Sequence, residues 1–412
     1  MLNSEDAVTH MQQSFNYHKL SFLCGSEEFL RNIDSYRVKA PFDSCVLSFL
    51  EELSSKLLSA AESKRYSDVV SLGFFIRKAA LRKMRQQWES SLCESTITLG
   101  RGVAFHIAPS NVAVNFAYSL IAGLITGNIN IVRLSTRDFP QVEIIAEAIN
   151  ETLDNHPSLK PYIQLIRYEH DSAINDYLSS LCSVRIIWGG DSTIEEIRKS
   201  PLPPKSHDLT FADRYSIAVI NAQTYLETDK ARTAKDFFND TYLFDQNACT
   251  SPRIIIWTGV NTDEARKVFW KNLHDYLKKR YNLQAVQAVN KLTSSCMTAA
   301  AFEGTRIIAS EDNLITRIEI KALNDNLMQY KDNSGFFFEY CSNDLKDIKS
   351  LLNNERCQTV GYIGEKESLV RLIAGGLRGV DRLVPVGQTS AFSLIWDGYK
   401  LTDELTRTIE IR

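Results

Sequence analysis

The sequence lacks the features that identify a membrane, secreted or nucleic-acid-binding protein. Its 47 Lys and Arg nearly balance its 50 Asp and Glu, so nucleic acid and anionic lipid are not attracted globally. The longest apolar stretch, which starts at Val112, is interrupted by polar residues and is too short to span a bilayer. The first residues have neither the basic start nor the apolar segment of a signal peptide. We therefore expect a soluble cytoplasmic protein with no membrane span and no nucleic-acid partner.

Paired cysteines are also missing, although the chain has eight cysteines. They are scattered, with no CxxC pair and no histidine cluster nearby, which argues against a disulfide framework and against a zinc or other metal site. In a reducing cytoplasm most of them should be small buried hydrophobic residues. Without further context that interpretation applies to Cys249 as well.

Neither a GxGxxG fingerprint nor a P-loop occurs, yet apolar strands and helical patterns alternate from about residue 96. Such alternation predicts an α/β fold with mostly parallel sheets, which bind nucleotides at the carboxyl ends of their strands. We predict a helical N-terminal segment (1–95), a Rossmann-type nucleotide-binding domain (96–225) and a second α/β catalytic domain with the Cys249 loop (226–375). Residues 376–412 should pack back on the core.

A glycine pair, Gly189 and Gly190, follows the predicted strand VRIIW and precedes the segment DSTIEEI. Glycines permit close backbone approach, and Ser192 with Glu195 predicts a capping box at a helix N-terminus, where free N–H groups attract phosphate. A tight turn with no ligand is the alternative for this pair.

Three segments together resemble the aldehyde dehydrogenase superfamily. HIAPSNVAVNF resembles its Pro-x-Asn turn and places Asn111 where the family keeps an oxyanion-hole amide. GNINIVRLSTRD is similar to its Gly-Asn-x-x-x-x-Lys-Pro-Ser-Glu segment, with Arg133 at the lysine position, and FDQNACTSPR resembles its cysteine loop. With CQTVGYIG, GVDRLVPVG and LIWDGY, this loop is most similar to the acyl-CoA reductase branch, which includes the reductase of bacterial bioluminescence fatty acid reductase complexes.

The resemblance implies NADPH-dependent reduction of an acyl thioester to an aldehyde, with Cys249 as nucleophile and with coenzyme A released. Phe211 or a neighbour stands where hydrolytic members keep their water-activating glutamate, which favours exchange of the acyl group with a thiol. At the ribose-binding position the acid is replaced by Thr136, beside Ser135, Arg133 and Arg137. Arginines favour a 2′-phosphate and hence NADPH, although NADH is also possible and the arginines could be surface charges.

Several assignments have structural alternatives. Asn111 could cap a helix starting at Val112, and His106 is best interpreted as a core residue. Asp245 and Gln246 could order the cysteine loop, and the WDGY segment could line an acyl tunnel or form a turn.

Two other classes of function stay open: a cysteine acyltransferase or thioesterase without nicotinamide chemistry, and a non-catalytic acyl-carrier-binding scaffold. The resemblance also implies an acyl-CoA or acyl-protein donor, an acyl-activating ligase as a possible partner, and a homo-oligomer.

Overall fold

The structure is a computed structural model that describes residues 15–93, 95–324 and 326–412. Its strands are β1 (Ser21–Cys24), β2 (Thr96–Gly100), β3 (Val103–Ile107), β4 (Ile129–Arg133), β5 (Ile163–Arg167), β6 (Val184–Trp188), β7 (His207–Phe211), β8 (Tyr215–Asn221), β9 (Pro252–Thr258), β10 (Arg306–Ala309), β11 (Thr316–Glu319), β12 (Phe336–Cys341), β13 (Cys357–Ile363), β14 (Arg382–Pro385), β15 (Ile395–Trp396), β16 (Tyr399–Lys400) and β17 (Thr406–Glu410).

The α-helices are α1 (Glu27–Arg31), α2 (Ser44–Ser59), α3 (Ser67–Phe75), α4 (Lys78–Glu89), α5 (Asn115–Ile125), α6 (Pro140–Asn155), α7 (Ser172–Leu181), α8 (Asp191–Arg198), α9 (Ala222–Glu227), α10 (Lys230–Asp240), α11 (Thr262–Leu277), α12 (Ala285–Ala301), α13 (Lys349–Asn353), α14 (Lys366–Ala374) and α15 (Leu401–Glu404). In the described ranges, no helix is both long enough and apolar enough to cross a membrane.

The chain divides into two compact units. The first comprises the described residues up to 212 together with 399–412, and the second comprises 213–398. The predicted domain boundary at residue 225 would place β8 in the first domain. In the structure β8 belongs to the sheet of the second unit, because it pairs in parallel with β9 and β13.

The first unit has a six-stranded sheet in the order β1-β5-β4-β3-β6-β7. Five of these strands are parallel, and β1 pairs antiparallel with β5 at the edge. The chain starts this parallel sheet in the middle at β3, builds outward to β5, and then returns to the other side of β3 with β6. The point between β3 and β6 is therefore the topological switch point, where sheets of this kind bind ligands.

The N-terminal helical segment differs from prediction in two respects. Residues 21–24 form the edge strand β1 of the six-stranded sheet. The apolar and basic stretch from residue 67 to 89, which has the periodicity of one helix, forms two helices, α3 and α4. Arg77 between them has an extended backbone, while Ile76 is fully buried. Asp43 caps the start of α2, since its carboxylate accepts hydrogen bonds from the N–H groups of Cys45 and Val46.

The second unit has a seven-stranded sheet in the order β10-β11-β12-β9-β8-β13-β14, parallel except for β10. All seven residues of β9 are buried, as expected for a central strand covered on both faces. Glu339 of β12 is also buried, and it accepts hydrogen bonds from the indoles of Trp257 (2.8 Å) and Trp270 (2.7 Å). Burial would raise the pKa of Glu339, but the hydrogen bond and charge of Arg266 lower it below its ordinary value.

His106 lies in the core of the first unit, as the sequence indicated. Its ring is fully buried, with Nδ1 2.7 Å from the Ser119 hydroxyl and Nε2 3.1 Å from the Asn130 amide oxygen. Burial lowers the pKa of His106 to about 4. The imidazole is therefore neutral near pH 7 and does not carry a charge for chemistry.

This burial predicts a pH-dependent stability. Below pH 6.5 His106 is protonated in the unfolded chain, whereas in the folded chain it is protonated only below about pH 4. The free energy of unfolding therefore decreases as the pH falls through this range. The total loss from this residue is of order 3 kcal/mol. We expect His106→Gln to be less stable than wild type at pH 7 and to lose less stability between pH 6.5 and 4, in urea unfolding followed by circular dichroism. The exposed His170→Gln variant is the control, and equal pH slopes for His106→Gln and wild type would contradict the prediction.

Candidate active site

The Cys249 loop connects α10 to β9 and is fixed by one side-chain amide. Asp245 and Gln246 adopt left-handed backbone conformations, with φ of 50° and 59°. Gln246 is fully buried; its Nε2 donates to the carbonyls of Pro252 (2.9 Å) and Phe336 (3.0 Å). Its Oε1 accepts from the N–H groups of Gly335 (3.0 Å) and Phe336 (3.1 Å). Two donors and two acceptors of the amide are thus satisfied, and the loop is tied to β9 and β12.

Two further groups hold the same loop. The buried guanidinium of Arg253 donates to the carbonyls of Gln246 and Asp332, and burial lowers the pKa of Arg253 to about 10. The Tyr281 hydroxyl donates to the Asp245 carboxylate at 2.6 Å. Asp245 and Gln246 therefore order the loop, which is one of the two roles that the sequence left open for them.

Cys249 itself is half-buried. Its carbonyl accepts a hydrogen bond from the Ser216 hydroxyl at 2.8 Å. Burial raises the pKa of the Cys249 thiol to about 12, the negative charge of Asp397 also raises it, and the Gln358 side chain lowers it in part. The resting sulfur is therefore a thiol near neutral pH, whereas reactive cysteines commonly have a lowered pKa.

Asp397 is the carboxylate next to this sulfur that the sequence analysis did not single out. It lies in the WDGY turn, has φ of 48° and is 8% exposed. Its carboxylate accepts a hydrogen bond from Gln358 Nε2. Burial raises the pKa of Asp397 to about 6. The WDGY segment thus forms a turn, and its aspartate is in the electrostatic environment of Cys249.

The segment before Asp397 is anchored by two buried charged groups. The Arg382 guanidinium donates to the carbonyls of Thr389 (2.7 Å) and Ala391 (2.8 Å) and lies 4.2 Å from the centre of the Trp396 ring. Asp240 at the end of α10 accepts from the N–H of Thr389 at 3.0 Å, and burial raises the pKa of Asp240 to about 7. These contacts fix the chain that leads into the WDGY turn.

Asn111 lies in the first unit, in the loop between β3 and α5. It is exposed, and α5 begins only at Asn115 with Val114 as its N-cap residue. The alternative role of Asn111 as the cap of this helix is therefore wrong. Cys249 belongs to the second unit, so the pairing of Asn111 with Cys249 in an oxyanion hole stays a prediction.

The residues predicted to bind the cofactor phosphate follow β4. Arg133 is the last residue of β4, and its guanidinium lies 4.6 Å from the centre of the Tyr168 ring. Arg137 lies 4.9 Å from the Phe139 ring, and its N–H donates to the Ser135 hydroxyl at 3.1 Å. Thr136 between them is exposed. Within the described ranges, neither guanidinium pairs with a carboxylate, which leaves both available for an anion.

Gly189 and Gly190 connect β6 to α8 on the other side of the switch point. Gly190 is the N-cap residue of α8 and provides no side-chain cap, so the predicted capping box of Ser192 and Glu195 is wrong. The helix begins at Asp191, two residues earlier than that box requires. A Cβ at Gly190 would have no atom within 4 Å, whereas a Cβ at Gly189 would approach Thr193 at 3.1 Å. The open side of Gly190 lets a ligand approach the backbone closely.

Phe211, which with its neighbours was predicted to stand at the position of the water-activating glutamate, ends β7. It is buried and stacks on Trp188 with ring centres 3.8 Å apart and an interplanar angle of 10°. A stacked aromatic ring cannot remove a proton from water; the correspondence of Phe211 to that glutamate stays a prediction.

Solved structures of aldehyde dehydrogenases share this fold. An indole-3-acetaldehyde dehydrogenase in complex with NAD⁺ aligns over 100% of both chains with a TM-score of 0.65 and 13% identity. An oxidoreductase from Marinobacter aquaeolei aligns over 94% of this chain and 91% of its own, with a TM-score of 0.65 and 11% identity. The predicted aldehyde dehydrogenase-like fold is confirmed.

The family can be stated more narrowly. The family model of acyl-CoA reductase (LuxC) matches residues 51–408, and the chain belongs to this family. The chain is 25% identical over 297 residues to the long-chain acyl-protein thioester reductase of Aliivibrio fischeri and 24% identical over 304 residues to that of Vibrio harveyi. Each alignment covers 71% of this chain and 60% of the relative, so the chain spans about 60% of the length of these relatives.

The Gln246 amide gives a first test of the site. In Gln246→Glu the single Nε2 amino group, which donates to the carbonyls of Pro252 and Phe336, becomes a carboxylate oxygen that faces both carbonyls in a buried position. We expect this substitution to lower the free energy of unfolding by about 2–4 kcal/mol. The measurement is urea unfolding at pH 7.5. Gln329→Glu, at an exposed position in the same unit, is the matched control, and an unchanged midpoint for Gln246→Glu would contradict the assigned role.

Proposed function

We propose that the protein reduces an acyl thioester to an aldehyde through an acyl group carried on Cys249. The observation that carries the proposal is a half-buried cysteine on a loop that the buried Gln246 amide ties to β9 and β12. Membership of the acyl-CoA reductase family and the aldehyde dehydrogenase-like fold support the same chemistry.

In the proposed acyl transfer, the Cys249 sulfur attacks the thioester carbonyl and displaces the carrier thiol. The Asn111 amide and the Cys249 backbone N–H would stabilise the oxyanion that forms. Phe211 at the position of the missing base would keep water from being activated, so that the acyl-enzyme survives until reduction.

We assign the nucleotide to the edge of the first unit's sheet where β3, β4 and β6 end. The guanidinium groups of Arg133 and Arg137 fit a phosphate because they have no carboxylate partner among the described residues. Ser135 and Thr136 would line the ribose phosphate, and Gly189 with Gly190 would allow the pyrophosphate to approach the start of α8. A bound NADPH would supply the hydride that reduces the thioester. NADH could supply the same hydride, but the two arginines favour the 2′-phosphate.

The acyl donor is either acyl-CoA or an acylated protein. The family's name points to the first, which releases coenzyme A, and the names of the relatives from Aliivibrio fischeri and Vibrio harveyi point to the second. An acylated protein would be supplied by an acyl-activating ligase, which we retain as the partner. Assembly as a homo-oligomer stays a prediction.

A cysteine acyltransferase is the second candidate, because Asp397 is a carboxylate near the Cys249 sulfur. An enzyme of this class would need a base positioned near Cys249. Both candidates form the same acyl-enzyme, and they differ in whether a reduced nicotinamide nucleotide discharges it as an aldehyde.

Intact-mass spectrometry separates these candidates. The protein is incubated in parallel with acetyl-, octanoyl- and hexadecanoyl-CoA. We expect an acyl adduct on the wild type that is absent from Cys249→Ala. Addition of NADPH should discharge it as aldehyde. Cys296→Ala, which removes an exposed thiol of the same unit, is the control and should acylate normally. An adduct that neither NADPH nor NADH discharges would favour acyl transfer. An adduct that still forms on Cys249→Ala would contradict the assignment of Cys249 as the nucleophile.

Cofactor preference can be tested at Arg137. Charge-assisted hydrogen bonds are worth about 1.5–3 kcal/mol, so Arg137→Ala should weaken NADPH binding by roughly 10- to 100-fold. Binding of NADH, which lacks the 2′-phosphate, should change much less. Nucleotide fluorescence titration measures both constants. Arg85→Ala, at an exposed arginine paired with Glu89, is the control, and equal losses for the two nucleotides would reject the 2′-phosphate contact.

A further inference from the structure

The charged residue of α12 lies on the buried side of the helix. Lys291 is the only charged residue between positions 282 and 302 of the sequence, and it is 1% exposed. Burial lowers the pKa of Lys291 to about 8, while the charges of Asp332 and Asp312 raise it, so the side chain is mostly an ammonium at pH 7. A buried ammonium is unfavourable unless it is hydrogen-bonded. What Lys291 provides that a buried apolar residue would not is therefore its hydrogen bonds.

The Lys291 ammonium connects two turns of the second unit. Its Nζ donates to the carbonyl of Ser334 at 2.9 Å and to the carbonyl of Asn313. Asn313 lies between β10 and β11, and Ser334 lies in the segment 332–335 that leads into β12. Ser334 is buried, and a buried carbonyl outside a strand needs a donor from elsewhere in the protein. Lys291 thus holds the segment 332–335 against α12.

A second residue of α12 contacts the same segment. The Ser294 hydroxyl donates to the Asp332 carboxylate at 2.8 Å. The segment is therefore bonded to the helix at both Asp332 and Ser334.

On its other side, the segment 332–335 is bonded to three consecutive residues of the cysteine loop. The contacts are Ser334 N–H to the Asp245 carbonyl (2.9 Å), Gly335 N–H to Gln246 Oε1 (3.0 Å) and Asn333 Nδ2 to Asn247 Oδ1 (2.8 Å). Cys249 follows two residues later. A continuous series of hydrogen bonds thus leads from the Lys291 ammonium to the loop that carries the sulfur.

We propose that Lys291 is a positioning residue for Cys249, which holds the cysteine loop through the segment 332–335 in the conformation that acyl transfer requires. The inference rests on the proposed function, because the reaction concerned is acyl transfer to Cys249. Lys291 forms and breaks no bond to the acyl group. It acts on the rate because an attacking atom displaced by about 1 Å can cost a factor of order 100.

The test compares two reactions of the Cys249 sulfur in Lys291→Met at pH 7. Methionine keeps an unbranched side chain of similar length but donates no hydrogen bond. Acylation is followed by intact mass over a range of concentrations of the acyl-CoA that acylates the wild type fastest. Alkylation of Cys249 by iodoacetamide is followed by peptide mapping.

Acylation should become slower. We expect its rate constant at saturating acyl-CoA to fall by about 10- to 100-fold. The half-saturating concentration and the final acylated fraction should stay as in wild type, because Lys291 does not bind the acyl-CoA. A lower acylated fraction at an unchanged rate would show that Lys291 only supports folding, and would overturn the inference.

Alkylation should become faster. Burial raises the pKa of Cys249 to about 12, so a loosened loop that admits water lowers this pKa and increases the thiolate fraction. Each pKa unit corresponds to about a tenfold change in that fraction. An unchanged alkylation rate would show that the loop keeps its place without the ammonium, and the inference would be wrong.

Ser295→Ala is the matched control. Ser295 is buried one turn after Lys291 on α12, and its hydroxyl donates within the helix, to the Lys291 carbonyl at 2.7 Å. This substitution perturbs α12 without releasing the segment 332–335, so both rates should match the wild type. If Ser295→Ala changes them as Lys291→Met does, the effect comes from the helix in general and the inference fails.

Asn333→Ala tests the path from Lys291 to the loop, because it removes the bond between the segment and Asn247. Acylation should slow in this variant too, and the double variant with Lys291→Met should be as slow as the slower single variant. Losses that multiply would mean that the two residues act independently, against the inference.

Ser294→Ala keeps the inference testable if Lys291→Met does not fold. It removes the other bond from α12 to the segment and should change both rates in the same directions by a smaller factor, so unchanged rates would overturn the inference. Failure of the wild type to acylate with any thioester would reject the proposed function and the inference with it. Acylation of the wild type with normal acylation of the variants would reject the inference alone.

Discussion

The carboxamide of Gln246 is the contact on which the geometry of the candidate site depends. Asp245 and Gln246 both have positive φ, and such a turn is unfavourable unless surrounding contacts impose it. Four hydrogen bonds from a single fully buried amide supply those contacts and join the loop to β9 and β12. Cys249, three residues later, takes its place from this anchor and from the Ser216 hydroxyl.

A second consequence of burial is electrostatic. Desolvation raises the pKa of Cys249, Asp240 and Asp397, so the Cys249 thiol is protonated near pH 7 and these two carboxyl groups titrate closer to neutral pH than ordinary aspartates. Such a thiol reacts slowly with adventitious electrophiles, because the thiolate is the nucleophile. In the proposed acyl transfer, the thiol would become reactive only when its proton has an acceptor. Low resting reactivity and efficient acyl transfer are then compatible.

The sequence allowed the α/β alternation and the cysteine loop to be predicted, because each is encoded locally by periodicity or by a short motif. It did not reveal α12, whose outward face carries exposed Val286, Leu292 and Met297, while Lys291 is buried and donates to the Ser334 carbonyl at 2.9 Å. This inverted pattern defeats an interpretation based on hydrophobic periodicity. Gln358 and Asp397 were missed for a different reason: more than a hundred residues separate them from Cys249, and only the sheet and the WDGY turn bring them to the sulfur.

The division of the chain separates the two halves of the proposed chemistry. Cys249, Gln358 and Asp397 all lie in the second unit, whereas the residues assigned to the nucleotide all lie in the first. In the proposed reaction, acyl transfer would need nothing from the first unit's sheet apart from the predicted Asn111 contact, and a defect in nucleotide binding should leave the acyl-enzyme intact. Such an intermediate would persist only if water is not activated to attack it. The stacked rings of Phe211 and Trp188 carry no group that could act as a base, so with Phe211 at the position we assign to the water-activating glutamate, reduction would be the route by which the acyl group leaves.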